Sequence, residues 1–360
     1  MILSYLAIIV ALFFAMNIGA SGAAATMGPA YGSGAISRKK SALLLAGFGA
    51  FLGAVVGGGE VVKTVGEGII PSDIFSIEVA VVILIASCLT LFLANVIGIP
   101  LSTSEVTIGA IIGVGVAFQA LYVSNILFIL SFWLIIPVIA FALCFIFGKV
   151  IISVEKRWPQ LKGTGKWKKI LTIVLILTAF IEAFSAGMNN VANAIGPLVG
   201  AGLMQSSSGI WLGGLFIAIG AILLGGKVLE TNGKKITSFS LLQGTAVSGT
   251  GGVLVIIASL FGIPVPLTQV TTSGIIGIGC SENGFQIWQK DVIKKIIKVW
   301  VVSPVLSLVV SFSLIHVFLQ PNPYIVVIVS AIIIATIGTL SLYRSVKLER
   351  RTLENERSIS

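Results

Sequence analysis

Charge is what this sequence has least of. Asp, Glu, Lys and Arg make up 10% of its 360 residues, where an ordinary soluble domain carries about a quarter. So few cannot coat a water-facing surface, which excludes a soluble globular fold. Histidine is almost absent too: His316 is the single one, and the three cysteines, Cys88, Cys144 and Cys280, lie in or beside apolar runs. That leaves no metal-ligand cluster, no pair of histidines at zinc spacing and no Ser/His/Asp constellation. Enzyme chemistry, a resident metal and a cofactor are therefore not expected. The cysteines read as buried small residues rather than a disulfide set, and His316, near an apparent helix end, is given no role.

Apolar residues dominate instead, at 56% of the chain with a mean hydropathy of +1.09. Runs near the roughly 20 residues that cross a bilayer recur from end to end, separated by short polar joints. The expectation is an all-α polytopic membrane protein with about 10–12 membrane segments, solvated by the lipid bilayer. The net charge of +10 sits in a few loops and at the C-terminus rather than along one helical face. Membrane topology imposes that distribution, because cytoplasmic loops concentrate Lys and Arg. Nucleic acid is not an expected partner. The first apolar run, "MILSYLAIIVALFFAM", lacks the basic start of a secretory signal, and the segment after it returns later in the chain, so it is kept in the mature fold.

That segment is "GASGAAATMGPAYGSG", Gly19 to Gly34, and its second copy is "GMNNVANAIGPLVGAG", Gly187 to Gly202. Two further matches follow in the same order. "GAVVGGGEVVKT" from Gly53 pairs with "GAILLGGKVLET" from Gly220, with Glu60 against Lys227 and Lys63 against Glu230. "PLSTSEVTIGAIIGVG" from Pro100 pairs with "PVPLTQVTTSGIIGIG" from Pro264. Three matches in one order mean a duplicated half. Paired loops differ in charge: "SRKKS" stands against "MQSSS", and the uncharged "QALYVSN" against "WQKDVIKKIIK". Because positive loops stay inside, each such pair places its members on opposite faces, which argues for inverted-topology repeats. The expected organisation is a first repeat over residues 1–150, a cytoplasmic linker over 151–169, a second repeat over 170–320, a further transmembrane helix over 321–343 and a charged cytoplasmic tail over 344–360.

Inverted-repeat transporters build their sites from broken or re-entrant helices near the midplane, whose N-termini offer unpaired N–H groups and about half a positive charge to an anion. The glycine motifs suit such a site. Gly22 and Ala23 let backbone approach a ligand, Pro29 and Pro197 suit helix breaks or first turns, and Ser21, Asn189, Asn190 and Val191 occupy the matched positions. Small residues also let membrane helices pack closely with no ligand involved, and that reading stays open. In the second motif pair Ser102, Thr103 and Ser104 follow a proline as at a helix start, and Thr268, Gln269 and Thr271 stand in its mate. They too can serve merely as backbone caps. Glu105 and Glu182 are carboxyls in otherwise uncharged segments. Such groups are expensive in a membrane and are candidates for coupling an ion to the anion.

The stretch "FSAGMNNVANAIGPLVGAG" resembles the repeated signature of the inorganic phosphate transporter (PiT) family, G-A-N-D-V-A-N-A-x-G-x-x-x-G-x-G. "PLSTSE" and "PVPLTQ" resemble its P-V-S-T-T-H element, and the likeness spans residues 10–320. This resemblance implies an inverted-repeat symporter for a tetrahedral oxyanion, multi-pass in the cytoplasmic membrane with its C-terminus inside; a homodimer is compatible with it. The signature aspartates, associated in the family with cation coupling, are here Gly22 and Asn190. Their loss favours a proton over sodium as the coupling cation. Phosphate still carries a proton for a buried carboxylate to accept, whereas sulfate carries none, so a site rich in donors and poor in acceptors suits sulfate better. The sequence with "MNIGASGAAA" is also similar to the sulfate permease branch of the family. Sulfate is the first expectation, with phosphate the alternative and thiosulfate a further candidate; a passive anion channel is the competing class.

Overall fold

The computed structural model describes residues 1–97, 101–235, 240–289, 291–328 and 331. Helices account for the regular structure, and no strand occurs among the described residues. The first half contains α1 (Ile2–Ile18), α2 (Ala24–Thr26), α3 (Gly28–Gly32), α4 (Lys39–Gly57), α5 (Gly59–Glu67), α6 (Ile77–Ile97), α7 (Thr103–Ala117) and α8 (Val123–Arg157). The second contains α9 (Gly165–Gly200), α10 (Ser206–Leu224), α11 (Gly226–Glu230), α12 (Leu241–Leu260), α13 (Leu267–Asn283) and α14 (Asp291–Phe318). Eight helices among the described residues are long and apolar enough to cross a membrane. About 10–12 segments are expected from the sequence; α7 is a further, shorter apolar helix among the described residues.

The duplication is visible in the order of elements. A long helix, a second long helix, a short one, another long one, a half-length one and a last long one occur as α1, α4, α5, α6, α7, α8 and again as α9 to α14. The contacts repeat as well, but exchanged between halves. A Cβ on Gly19 of α1's C-terminal extension would collide with the Ile217 carbonyl of α10, and one on its mate Gly187 with the Ala50 carbonyl of α4. Likewise Gly220 lies against the Met16 carbonyl and Gly53 against the Phe184 carbonyl. Further on, Gly113 of α7 meets Leu308 of α14, and its mate Gly277 of α13 meets Phe141 of α8. Swapping the two halves maps each contact onto its partner, so the halves are related by a pseudo-two-fold. Close backbone approach of this kind drives helix association where lipid supplies no hydrophobic contrast.

The two glycine motifs do not fold alike. In the first copy α1 opens into a π turn at Gly19–Ala23, and the helix breaks at Met27 before Pro29 enters the first turn of α3. In the second copy α9 runs unbroken through Asn189, Asn190 and Pro197, so the helix break anticipated at Pro197 does not occur. Pro197 lies in the last turn, where its missing N–H deprives the Asn193 carbonyl alone of a helical partner.

At the ends of the bundle, Lys39 pairs with Glu230 at 2.7 Å, and Lys227 donates to the Val96 carbonyl at 2.8 Å, at the C-terminus of α6. The chain up to Ser311 forms one compact unit that holds these contacts. The second unit starts at Phe312; within it, His316 lies edge-on to Phe312 with ring centroids 4.6 Å apart. The expected tail over residues 344–360 and most of the expected helix over 321–343 lie outside the described residues.

Candidate functional site

The half-length helices α7 and α13 start at one place. Ser102 caps α7, its hydroxyl accepting from the Glu105 N–H at 3.3 Å, and Pro266 precedes α13. The Gln269 amide donates to Glu105 Oε1 at 2.6 Å, and the Ser104 hydroxyl donates to the Val265 carbonyl at 3.1 Å. Glu105 and Gln269 occupy the same position in the two copies. Their contact therefore marks where the pseudo-two-fold passes between two helix N-termini. A helix start leaves up to four N–H groups without intrahelical partners and carries partial positive charge, so the junction gathers donors.

The middle of α9 forms one wall. Thr103 Oγ1 donates to Asn190 Oδ1 at 3.0 Å, and Asn193 Nδ2 donates to Thr103 Oγ1 at 3.1 Å and Ser104 Oγ at 3.2 Å. Across from it, Gly22 sits on the π turn so close to Asn190 that a Cβ there would lie 2.8 Å from Asn190 Nδ2. Gly22 and Asn190 are again mates meeting at the pseudo-two-fold. π turns of this kind are frequent at functional sites.

Other expected site residues have their polar atoms committed. Ser21 clamps the segment entering α7, donating to the Leu101 carbonyl at 2.8 Å and accepting from the Leu101 N–H at 3.3 Å. Its mate Asn189 does the same for α13: it donates to the Ile263 carbonyl and to Ser259, and accepts from the Val265 N–H at 3.1 Å. Ala23 is buried, and Val191 turns its methyl groups toward Gly58 and Gly213, away from the asparagines. Thr268 is buried with its hydroxyl unpartnered. Thr271 donates to Glu182 Oε1 at 2.5 Å, further along α13. Asn193, a polar residue of the same glycine motif, lies three residues from Asn190 on a helix, which puts both amides on one face. Ser259 and the Ile263 and Val265 carbonyls carried no such signal.

Both carboxyls are enclosed, Glu105 at 5% exposure and Glu182 at 0%. Each keeps one oxygen without a partner, Glu105 Oε2 and Glu182 Oε2, and Asn193 Oδ1 is likewise unpartnered. Neither carboxyl forms an ion pair with a described basic residue. Buried polar atoms are nearly always hydrogen-bonded, so Glu105 Oε2, Asn193 Oδ1 and the Thr268 hydroxyl, unpartnered at one junction, set it apart from a packing interface. Among the described residues no group of His, Cys, Asp and Glu could hold a metal ion.

A duplicated all-α bundle with eight candidate membrane-crossing helices among its described residues, and two half-helices starting at one enclosed polar junction, defines a polytopic membrane protein. The family model for the phosphate transporter family matches residues 18–311, and the chain belongs to that family. The sulfate permease CysP of Bacillus subtilis (strain 168) is 52% identical over 351 residues, covering 97% of this chain and 98% of that protein. A solved structure of a sodium-dependent phosphate transporter matches with a TM-score of 0.77 at 24% identity, covering 89% of this chain and all of that one; at this identity the likeness speaks for the fold.

Proposed function

We propose that the chain is a secondary active permease that imports inorganic sulfate across the cytoplasmic membrane by proton symport, with its C-terminus inside and Glu105 as a coupling group. One observation carries the reading. The two positions where the family signature has aspartates face each other here as Gly22 and Asn190, beside two helix N-termini, and the nearest carboxyl at that junction is Glu105 against Gln269. The junction thus offers amide, hydroxyl and backbone donors to an anion that has no proton to give. Where a phosphate carrier profits from a fixed acceptor, sulfate is repelled by one. The 52% identity to a sulfate permease supports the same anion.

No residue of the junction is more than 7% exposed. Such enclosure supports a carrier that opens to one side at a time over a continuous pore, and the exchanged contacts between halves supply two bodies that can rock about the site. Phosphate remains the second reading, supported by the family as a whole.

The test is uptake of labelled sulfate and phosphate, in parallel, into proteoliposomes holding the purified chain, with sodium and proton gradients imposed separately. Sulfate uptake driven by an inward proton gradient is expected. Phosphate uptake driven by sodium, with no sulfate uptake, would overturn both anion and cation.

A further inference from the structure

Glu182 has no mate. The repeat places Phe14 opposite it, so one half buries a carboxyl where the other buries a ring. The slot is built around the carboxyl: Thr271 of α13 donates to Oε1, and Gly251 of α12 lies so close that a Cβ there would come within 2.7 Å of Oε1. Oε2 has no partner. A residue needed only to hold Thr271 could be a glutamine, and an uncharged one would be far cheaper in a membrane.

Among the described residues the surroundings offer no ion pair to either carboxyl. From α12 the groups facing Glu182 are Ser248, Gly251 and Gly252, from α13 Thr271, and from α8 the Cys144 thiol. Glu105 faces Gln269 of α13 and makes no ion pair with a described basic residue. Along α9, Glu182 lies roughly 10 Å from Asn189, at 1.5 Å per residue. It is part of the same enclosed core and separate from the junction.

From this arrangement we infer that Glu182 is a second proton site, so that each sulfate dianion enters with two protons and the cycle moves no net charge. The inference rests on the sulfate symport reading. Two carboxylates plus two protons plus sulfate give two carboxylic acids and one bound dianion; release inside returns the anion, both protons and both carboxylates. The core then holds two negative charges in either form, on the anion when loaded and on Glu105 and Glu182 when empty. A fixed set of donors and helix N-termini suits both forms equally, and the return of the empty carrier is not opposed by the membrane potential.

The experiment is steady-state accumulation of labelled sulfate by the full-length chain in proteoliposomes, with potassium and valinomycin setting the potential. With two protons, accumulation should change about 100-fold per pH unit of gradient and ignore the potential. Glu182→Gln should lower the slope to about tenfold per pH unit and make uptake fall when the interior is negative, while Glu182→Asp keeps the two-proton behaviour. A wild-type slope of about tenfold with potential sensitivity overturns the two-proton inference and leaves sulfate symport standing. A glutamine variant that keeps the wild-type slope removes Glu182 from the cycle. Should that variant fail to insert, the wild-type slope and its response to potential still decide the stoichiometry. Absence of any proton-driven sulfate uptake overturns the symport reading itself.

Discussion

Replacing Glu105 by glutamine separates binding from coupling at the junction. The side chain keeps its shape, and its carbonyl can still accept the bond now made from Gln269 at 2.6 Å. What is lost is the charge assistance of that bond, about 1 kcal/mol, so insertion and fold should survive. The effect on the anion is larger. A carboxylate ~6 Å from a dianion, at an effective dielectric near 20, is repelled by ~5 kcal/mol, or between three and four powers of ten in affinity. On the proposed proton symport, a proton on Glu105 would remove that repulsion, and its departure inside would restore it and expel the anion. Glutamine fixes the neutral form, so Glu105→Gln should bind sulfate with a weaker dependence on pH than the native chain. It should also exchange labelled for unlabelled sulfate across the vesicle membrane at near-native rates. Gradient-driven accumulation in proteoliposomes should fall at least about tenfold per pH unit, the share of one lost proton. If Glu105→Gln concentrates sulfate as steeply as the native chain, Glu105 carries no proton and the coupling argument from the junction is wrong.

Three other outcomes follow from the same geometry. In a background without Cys88, Cys144 and Cys280, a cysteine placed at residues 38–40 should resist an impermeant external thiol reagent, and one at residues 206–208 should react; labelling of both from one side would refute inverted halves. Gly22→Leu fills the space facing Asn190, and Asn190→Leu removes the amide bonded to Thr103; each should reduce sulfate binding at least about tenfold without blocking membrane insertion, and normal transport by both would reduce the glycine motifs to packing devices. Gly187→Ala would press a methyl group into the Ala50 carbonyl and should cost about 3 kcal/mol, read as a lowered Tm in detergent, whereas Gly59→Ala, with open space around it, should change Tm little.

Much of the fold was legible because membrane helices announce themselves through composition alone. The duplicated order of long and half-length helices, the cap at Ser102 and Pro29 in the first turn of α3 all follow from local sequence. What connects distant segments was hidden. Glu105 and Gln269 are matched positions 164 residues apart, and nothing local says that matched positions touch. Ser21 and Asn189 looked like ligand groups because they are polar and sit in the motif; the chain spends them on holding the segments that enter α7 and α13. Gly19 and Gly187 belong to the packing reading, since carbonyls of the other half occupy the space a Cβ would need, while Gly22 faces a side chain at the junction. One motif therefore serves both readings, at positions three residues apart. Pro197 resisted prediction for another reason: a proline in the last turn of a helix and one that ends a helix look alike in sequence.

The pseudo-two-fold also shows where to look for function in a duplicated carrier. In one made of two inverted halves, exchanging the halves' conformations turns an outward-open form into an inward-open one. Identical halves would give those two forms equal energies and respond alike to ions on either face. Direction of coupling then has to come from side chains that break the symmetry. At the core such breaks include Gly22 against Asn190, Glu105 against Gln269, Ala25 against Asn193, Thr103 against Leu267, and Phe14 against Glu182. The first two pairs meet at the axis, where a difference alters the site without favouring one half's surroundings. Glu182 stands off the axis, held by Thr271 of α13 and Gly251 of α12 with the Cys144 thiol of α8 nearby, so a proton there would change the surroundings of the two halves unequally. On the symport reading, Glu105 would then sense the anion, and Glu182 which way the carrier is open.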